Sequence, residues 1–195
     1  NRGACIQACR SRYDLLDSDG RVLVKDKALL SLKDLKLLDR LADLADAGVM
    51  SFKIEGRLKN ESYVRNVVRQ YSLALDALVA SSGGRYCRSS FGRVSEAFAP
   101  ALDKTFNRGY TELFLDGKKA PGWAAMEAAK GMGEKIGKVI SVRKDGSRGS
   151  CVLEIESTAR LNNGDGFSFV AGNGEVIGFR GDVCENPDRK RARIV

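Results

Sequence analysis

The spacing of apolar positions between residues 31 and 80 predicts a helix, a strand and a second helix. Leucines recur at helical spacing from Leu32 to Leu44, after a capping-box-like Ser31-Leu32-Lys33-Asp34, and Gly48 ends the run. Residues 49–54 form a short apolar run typical of a buried strand. Asn60 is the predicted cap of a second helix, whose apolar side carries Tyr63, Val64, Val67, Val68, Tyr71, Leu75 and Leu78. This alternation indicates an α/β architecture with parallel strands.

Turn signals separate shorter elements on either side of this unit. Asp17-Ser18-Asp19-Gly20 lies between two apolar runs and predicts a β-hairpin. A short helix is predicted over residues 95–102 and a turn over residues 106–110. Pro121-Gly122 then marks a boundary, so the character of the chain changes at about this point.

Beyond Lys135 the helical spacing is replaced by short apolar runs between clusters of Gly, Asn and Asp. Strands are predicted at residues 136–142, 150–155, 167–170 and 176–179, a spacing typical of a small β-barrel or sandwich. We therefore predict α/β followed by all-β: residues 1–118 form an α/β region that is the last part of something larger, and residues 119–195 are a small β-barrel domain. Residues 189–193 are interpreted as a solvated basic tail, with RNA contact as the alternative.

The charged composition narrows the function classes. The 195-residue chain has 33 basic and 25 acidic residues, a formal net charge of +8 and no histidine. Ser-His, Cys-His and His-ligated zinc chemistry therefore cannot be built from this chain alone. The positive charge favours a polyanionic partner such as RNA, and a basic solvated surface explains it equally well.

Cysteine usage and the lack of long apolar runs bear on cellular location. No apolar run approaches the roughly 18 residues that would span a membrane, and no signal peptide is visible. The chain begins without Met and inside a motif, so we expect a fragment of a longer protein. Five cysteines, an odd and sparse set, are typical of reduced cytosolic thiols, which predicts a cytoplasmic protein. Cys151 lies in a strand-like run and is expected in the core.

Two of the cysteines are candidate ligands of an iron–sulfur cluster. Cys5 and Cys9 lie four residues apart, and Cys is the usual ligand of such clusters. The neighbouring Arg2, Arg10 and Arg12 would favour thiolates and offset the negative charge of a cluster. Two cysteines are only part of a four-ligand set, so the spacing alone leaves inert or redox-reactive thiols as the alternative.

Three charged residues at the end of the predicted strand form a second candidate site. Lys53, Glu55 and Arg57 alternate with apolar positions and therefore point to one side of an extended chain. Ligands of α/β folds bind at the carboxyl ends of strands, so Lys53 and Arg57 would hold an anionic substrate while Glu55 orients it or exchanges a proton. A structural ion-pair network is the equally weighted alternative.

Aromatic and basic residues interleave again in Phe106-Asn107-Arg108-Gly109-Tyr110. Such side chains stack on bases or sugars, which makes Arg108 and Tyr110, together with Arg10, candidate RNA contacts. An ordinary loop packed on the core is the alternative, and it applies to Trp123 as well.

Four blocks of this chain together resemble the peptidase U32 family, which is known for collagenase-like proteases. The resemblance covers residues 1 to about 80 and extends more weakly into the later β-rich region. It rests on these segments, with x for unmatched positions: Asn1-Arg2-Gly3-x-Cys5-x-Gln7-x-Cys9-Arg10, Ser31-x-Lys33-Asp34-Leu35, Ala47-Gly48-Val49-x-Ser51-Phe52-Lys53-Ile54-Glu55-Gly56-Arg57-x-Lys59 and Tyr63-Val64.

The resemblance implies the C-terminal part of a TIM-like β/α barrel, followed by a small β-barrel. Several family members are oxygen-independent hydroxylases of rRNA, tRNA or ubiquinone precursors. They carry a four-iron four-sulfur cluster, and the RNA enzymes depend on prephenate. Cys5 and Cys9 match the last pair of cluster cysteines, and the other two are expected upstream of Asn1.

Three functions are therefore open at this point. The first is part of an rRNA or tRNA hydroxylase, the second is a collagenase-like peptidase, and the third is a module that binds nucleic acid or protein. The cysteine pair, the basic charge and the β-rich half favour the RNA hydroxylase. A peptidase would need a base from outside this chain, since no His and no H-E-x-x-H motif is present.

Overall fold

The computed structural model describes residues 3, 5–92, 97–117, 122–127, 129–145 and 150–195.

The first two strands of the fold form an antiparallel hairpin. Strands β1 (Tyr13–Leu16) and β2 (Val22–Lys27) pair across the turn predicted from Asp-Gly. The carboxylate of Asp17 accepts hydrogen bonds from the backbone N–H groups of Asp19 and Arg21, each at 2.9 Å. Gly20 supplies the left-handed conformation of the turn (φ 79°), which confirms the hairpin.

The helical part of the chain confirms one predicted helix in full and the other in part. A short strand β3 (Asp34–Leu35) and a 3₁₀ turn (Leu38–Arg40) precede α1 (Leu41–Asp46), and α2 spans Glu61–Ser81. Asn60 caps α2 as predicted: its side-chain oxygen accepts a hydrogen bond from the backbone N–H of Tyr63 at 2.9 Å. No helix in the described part of the chain is long and apolar enough to cross a bilayer.

The capping box predicted at Ser31 is wrong. Asp34 lies in β3, which pairs in parallel with β4 (Tyr110–Thr111), so its backbone is extended where the pattern predicted a helix. Its carboxylate bonds to Arg108 rather than to a helix N-terminus. A long-range partner thus overrides the local signal, and the helix begins only at Leu41.

The buried strand predicted at residues 49–54 is also wrong. The segment has no strand partner among the described residues, and Met50 is 95% exposed. Exposure still alternates along it, since Phe52 and Ile54 are half-buried whereas Ser51, Lys53 and Glu55 are exposed. The chain is therefore extended here without the hydrogen-bonded neighbours that define a strand.

The stretch that leads to the second half is mostly irregular. Of the helix predicted at 95–102, residues 95 and 96 lie outside the described residues, and 97–101 are not helical. A single 3₁₀ turn (Leu102–Lys104) follows. The turn predicted at 106–110 is confirmed, with Gly109 in the left-handed region (φ 80°). The predicted domain boundary, residues 118 and 119, lies outside the described residues.

The second half is built from antiparallel strands around one apolar core. Its strands are β5 (Lys138–Asp145), β6 (Ser150–Glu156), β7 (Gly166–Val170), β8 (Val176–Arg180), β9 (Cys184–Asp188) and β10 (Arg191–Ile194). One sheet has the order β5-β6-β10-β9, and β7 and β8 form a separate hairpin. The core between them contains Ile155, Leu161, Ala192 and Ile194, with Phe167 and Phe179 packed against it.

The predicted basic tail is instead an interior strand of the four-stranded sheet. Ala192 and Ile194 are each 2% exposed, and β10 lies between β6 and β9. Arg191 faces Glu156 and Asp188 across the sheet, and Arg193 faces Glu154 and Glu185. These carboxylates offset the basic charge that suggested a solvated or RNA-binding terminus. Cys151, expected in the core, is exposed.

The described strands do not close into a barrel in either half. The architecture is a mixture of helices and small sheets: three two-stranded sheets and one of four strands within the described residues. The parallel pair β3–β4 is the part that resembles an α/β fold.

The accessible surface is far larger than that of a compact chain of this mass. It measures 14612 Å² for 21.2 kDa, whereas a compact monomer of this mass exposes about 9,000 Å². Several large apolar side chains contribute to it, among them Ile6, Met50 and Leu58, each at least 86% exposed. Such a surface is typical of a chain that packs against further protein.

Candidate functional site

A cavity of about 590 Å³ lies between the two helices and the loop that leads to β4. Its apolar wall comes from α1, from the inner side of α2 and from the extended segment after α1. Polar and aromatic side chains of β3, β4 and their flanking loops line the rest. The charged and aromatic residues of the lining include Asp34, Lys36, Lys53, Glu55, Lys59, Tyr63, Tyr71, Phe106, Arg108 and Tyr110.

An ion pair between Asp34 and Arg108 forms one side of the cavity. The Asp34 carboxylate accepts hydrogen bonds from the Arg108 backbone N–H at 2.8 Å, from Nη2 at 2.6 Å and from Nε at 3.4 Å. About a quarter of each side chain is exposed. The hydrogen bond that Arg108 donates to Asp34 is the main reason that the pKa of Arg108 is raised; burial opposes this shift, and the charges of Asp34 and Cys9 add to it. Arg108 therefore stays charged and fixed in direction.

Asn107 holds the loop that presents Arg108. This buried side chain donates hydrogen bonds to the carbonyls of Asp103 (3.1 Å) and Thr105 (2.9 Å) and accepts one from the N–H of Gly109 (3.1 Å). Its own carbonyl accepts a hydrogen bond from the N–H of Met132, at the start of the β-rich half. Both ends of the amide are thus satisfied, which rigidifies the loop.

Lys59 lies on an aromatic face rather than beside a carboxylate. Its Nζ is 3.1 Å from the centroid of the Phe106 ring and 5.7 Å from that of Tyr63. Within the described residues no carboxylate approaches it to salt-bridge distance, because Asp34 is taken by Arg108 and Glu55 by Lys53. Burial lowers the pKa of Lys59; the charge of Asp34 opposes this shift, and the charges of Arg108 and Arg10 add to it. The ammonium is thus available to an anion that enters the cavity.

Three tyrosines complete the wall and keep their phenols neutral. Burial is the leading cause that raises the pKa of Tyr63, Tyr71 and Tyr110. Tyr110 donates its hydroxyl to the carbonyl of Leu102 at 2.9 Å, and Lys36 lies 5.1 Å from its ring centroid. The cavity therefore combines aromatic surface with four cations and two carboxylates, a composition suited to an anionic ligand with a planar ring.

The predicted triad Lys53, Glu55 and Arg57 is exposed rather than buried. Lys53 Nζ is 2.8 Å from Glu55, and both side chains are at least 75% exposed. The hydrogen bond from Lys53 is the main cause that lowers the pKa of Glu55, and the charge of Arg57 contributes least. Lys53 and Glu55 line the cavity and Arg57 does not. Their catalytic role stays a prediction.

The cysteine segment approaches the same cavity. Cys5 and Cys9 are exposed, free thiols on either side of Gln7, whose backbone is left-handed (φ 56°). A 3₁₀ turn (Ala8–Arg10) follows, and Tyr13 donates its hydroxyl to the carbonyl of Ala8 at 2.7 Å. The charge of Arg10 adds to the lowering of the Lys59 pKa, and the charge of Cys9 adds to the raising of the Arg108 pKa.

Four thiolates hold a four-iron four-sulfur cluster, and this segment supplies two of them. The described residues contain no group of three or more Cys, Asp or Glu side chains arranged for a metal ion. Cys5 and Cys9 therefore fit half of such a donor set, and Cys87, Cys151 and Cys184 are likewise free thiols.

Comparison with known proteins assigns the chain to a family. A family model described as peptidase family U32 matches residues 1–125, about two thirds of the chain. The chain belongs to peptidase family U32. The match includes the cysteine segment, the cavity and both helices of this U32 chain.

Three relatives show the range of functions within the U32 family. The chain is 41% identical over 194 residues, its whole length, to the 23S rRNA 5-hydroxycytidine C2501 synthase of Escherichia coli K12, of which it covers 28%. It is 37% identical over 123 residues to a collagenase of Porphyromonas gingivalis, with 63% of the chain and 32% of that protein covered. It is 36% identical over 130 residues to the tRNA hydroxylation protein P1 of Bacillus subtilis, with 63% and 28% covered.

This U32 chain thus spans about a third or less of the length of these relatives. No solved structure matches it.

Sequence reasoning missed three residues of the U32 cavity. Asp34 was interpreted as a helix cap, Lys59 had no assigned role, and Phe106 was considered only for stacking on RNA. The partner of Asp34 lies 74 residues away in the chain, and no local pattern reports such a pair. A usable signal for Lys59 was its position two residues after Arg57, where the charged run continues beyond Gly56.

Proposed function

We propose that this chain is part of an iron–sulfur-dependent RNA hydroxylase that acts on rRNA or tRNA in the cytoplasm. The observation that carries the proposal is 41% identity along the whole chain, β-rich half included, to an enzyme named for 5-hydroxycytidine formation in 23S rRNA. A relative named for tRNA hydroxylation supports the same chemistry. The net charge of +8 suits a polyanionic substrate.

In this proposal, residues 1–118 are the C-terminal part of a β/α barrel. The remaining strands and helices of that barrel would come from residues outside this sequence. Three observations support this: the parallel pair β3–β4, the large exposed surface, and the share of about a third or less of each relative. In a completed barrel, residues 49–54 would gain strand neighbours, and their exposed backbone would be hydrogen-bonded.

Cys5 and Cys9 are the proposed ligands of the cluster, with the remaining thiolates supplied from outside this chain. A bound four-iron four-sulfur cluster would supply one-electron chemistry that side chains lack. The positive charges of Arg10 and Arg108 would offset the negative charge of a cluster bound at this segment.

The cavity is the proposed substrate site. Lys59 and Arg108 present positive charge to a phosphate or a carboxylate, and the rings of Tyr63, Phe106 and Tyr110 offer surface to a base. The same cations suit prephenate, a dicarboxylate on which RNA hydroxylases of the family depend. Lys53, Glu55 and Arg57 lie where an incoming strand would meet the rim, and Glu55 is the proposed group that orients the substrate or exchanges a proton.

A collagenase-like peptidase is the second candidate, because a relative with 37% identity is named collagenase. The chemistry of this chain supports it less well. The chain has no histidine. A cysteine nucleophile at Cys5 or Cys9 would therefore need a base from outside this chain.

One experiment separates these functions by giving both substrates to the same protein. The full-length protein that contains this chain would be purified anaerobically and incubated with prephenate and unmodified RNA, or with collagen. Hydroxylated nucleosides measured by mass spectrometry, without release of collagen peptides, are expected. Peptide release without nucleoside hydroxylation would contradict the proposal.

Iron and acid-labile sulfide test the ligand assignment independently. We expect about four irons per full-length chain, lost in Cys5→Ser and in Cys9→Ser. Cys151, an exposed cysteine of the β-rich half, provides the matched control. The full-length protein with Cys151→Ser should keep the iron content of the wild type. Full iron content in both segment variants would remove Cys5 and Cys9 from the cluster.

A further inference from the structure

Arg12, three residues after Cys9, joins separate parts of the chain through one guanidinium. Its Nε donates a hydrogen bond to the Asp26 carboxylate at 2.8 Å, and Nη2 donates to the Asp26 carbonyl. Its Nη1 donates to the carbonyls of Glu127 (3.2 Å) and Gly174 (3.0 Å). All three guanidinium nitrogens are therefore used, and the side chain is 30% exposed.

The backbone that receives Arg12 has an unusual shape at two positions. Asp26 has φ 50°, in the left-handed region that non-glycine residues rarely adopt, and its N–H donates to the Asp14 carboxylate at 2.7 Å. Gly174 has φ 79°, and a Cβ there would lie 2.4 Å from Nη2 of Arg12. The local geometry is thus arranged around the guanidinium, and a side chain at position 174 would displace it.

The three segments that Arg12 joins belong to different parts of the fold. Asp26 lies in β2. Glu127 follows Met126 in the connection between the two halves, and this connection is paired to the first half because Ala28 donates its N–H to the Met126 carbonyl at 2.9 Å. Gly174 lies in the β7–β8 turn of the β-rich half. Arg12 therefore links the cysteine segment to the hairpin, the connection and the β-rich half.

We infer that Arg12 is a positioning residue that fixes the β-rich half relative to the cysteine segment and the cavity. Only an arginine can make these contacts, because its guanidinium has several N–H donors on one rigid, planar group. These donors reach four acceptors in three different segments. A lysine keeps the charge and the Asp26 ion pair but lacks the spread of donors. The functional consequence rests on the proposed RNA hydroxylase: the β-rich half keeps a fixed orientation relative to the cavity in which the RNA would react.

Hydrogen exchange in the full-length protein tests the positioning role without relying on catalysis. The amides of Ala171, Gly174 and Glu175 are hydrogen-bonded within the β7–β8 turn, so their exchange reports opening of the turn. We expect exchange at 171–175 at least tenfold faster in Arg12→Gln, because the carbonyl of Gly174 loses its hydrogen bond from the guanidinium. Arg21→Gln, an exposed arginine on the first hairpin, is the matched control and should exchange as the wild type.

Kinetics then separate positioning from a merely structural role. Measured well below the melting temperature of the variant, Arg12→Gln should lower kcat for RNA hydroxylation at least tenfold with little change in KM, and Arg12→Lys should not restore kcat. Unchanged exchange in Arg12→Gln, or a wild-type kcat in Arg12→Gln, would each overturn the inference. If the wild-type protein hydroxylates no RNA while the exchange pattern holds, the proposed function fails and the linkage by Arg12 stands.

Discussion

Removing the Asp34 carboxylate tests the central contact of the cavity. Asp34→Ala deletes three hydrogen bonds to Arg108 and leaves a three-quarters-buried guanidinium and one backbone N–H without their acceptor. An unsatisfied part-buried group costs about 1–3 kcal/mol, and the partial exposure of both side chains reduces the charge contribution. We therefore expect the free energy of unfolding to fall by about 2–3 kcal/mol.

The magnitude is best measured as a double-mutant cycle with Arg108→Ala. Urea unfolding can be followed by the fluorescence of Trp123, the single tryptophan of the chain, whose carbonyl accepts the N–H of Lys33 beside Asp34. We expect a coupling energy of about 1–2 kcal/mol between Asp34 and Arg108. The exposed pair Glu185 and Arg193, at 3.2 Å on the β-rich sheet, is the matched control and should give about 0.5 kcal/mol or less.

A coupling energy for Asp34 and Arg108 as small as that of the control would refute this reasoning. It would mean that the cavity wall is held by packing alone, with the ion pair free to dissociate in solution.

Three further predictions follow from other contacts. Asn60→Ala should lower the free energy of unfolding by about 1 kcal/mol through loss of the α2 cap, and Asn60→Ser should retain most of it in urea titrations. Gly137→Ala should prevent the β-rich half from folding, because the new Cβ would lie 2.1 Å from the Glu156 carbonyl oxygen; Gly172→Ala, with open space around it, should be neutral by circular dichroism. The lowered pKa of Lys59 means that the unfolded chain binds the extra proton just below pH 10.5, so the stability due to this group rises with pH there; the unfolding free energy of the wild type should therefore rise relative to that of Lys59→Met across this range, and a constant difference between the two would argue against it.

Local sequence signals were sufficient where the chain's own neighbours decide the structure. The Asp-Gly turn defined the first hairpin, and Asn60 defined the start of α2, because both use hydrogen bonds within four residues. The four strands predicted in the β-rich half were found within a few residues of their predicted bounds.

Local sequence signals failed where a residue far away in the chain determines the backbone structure. Asp34 is extended because β4 and Arg108 bind it, although its local pattern favours a helix. The strand Arg191–Ile194 was interpreted as a basic tail, yet Arg-Ala-Arg-Ile alternates with period two and could have been recognised. Residues 49–54 have the composition of a buried strand, yet they have no strand partner among the described residues.

The sequence predicted which charged residues belong to the candidate site, but it did not predict which side chains contact each other there. Alternation correctly placed Lys53 and Glu55 on one side, where they form an ion pair. Lys59 on the ring of Phe106 joins residues 47 positions apart, which no single-sequence pattern reports. The cluster assignment depends on the family resemblance, since two cysteines alone do not define a four-ligand site.

The most direct test of the proposed function is nucleoside mass spectrometry of rRNA and tRNA from cells that lack the gene for the full-length protein. The account predicts that one hydroxylated pyrimidine disappears, returns when the wild-type gene is restored, and does not return with Cys5→Ser. An unchanged set of modified nucleosides in the deletion strain would contradict it.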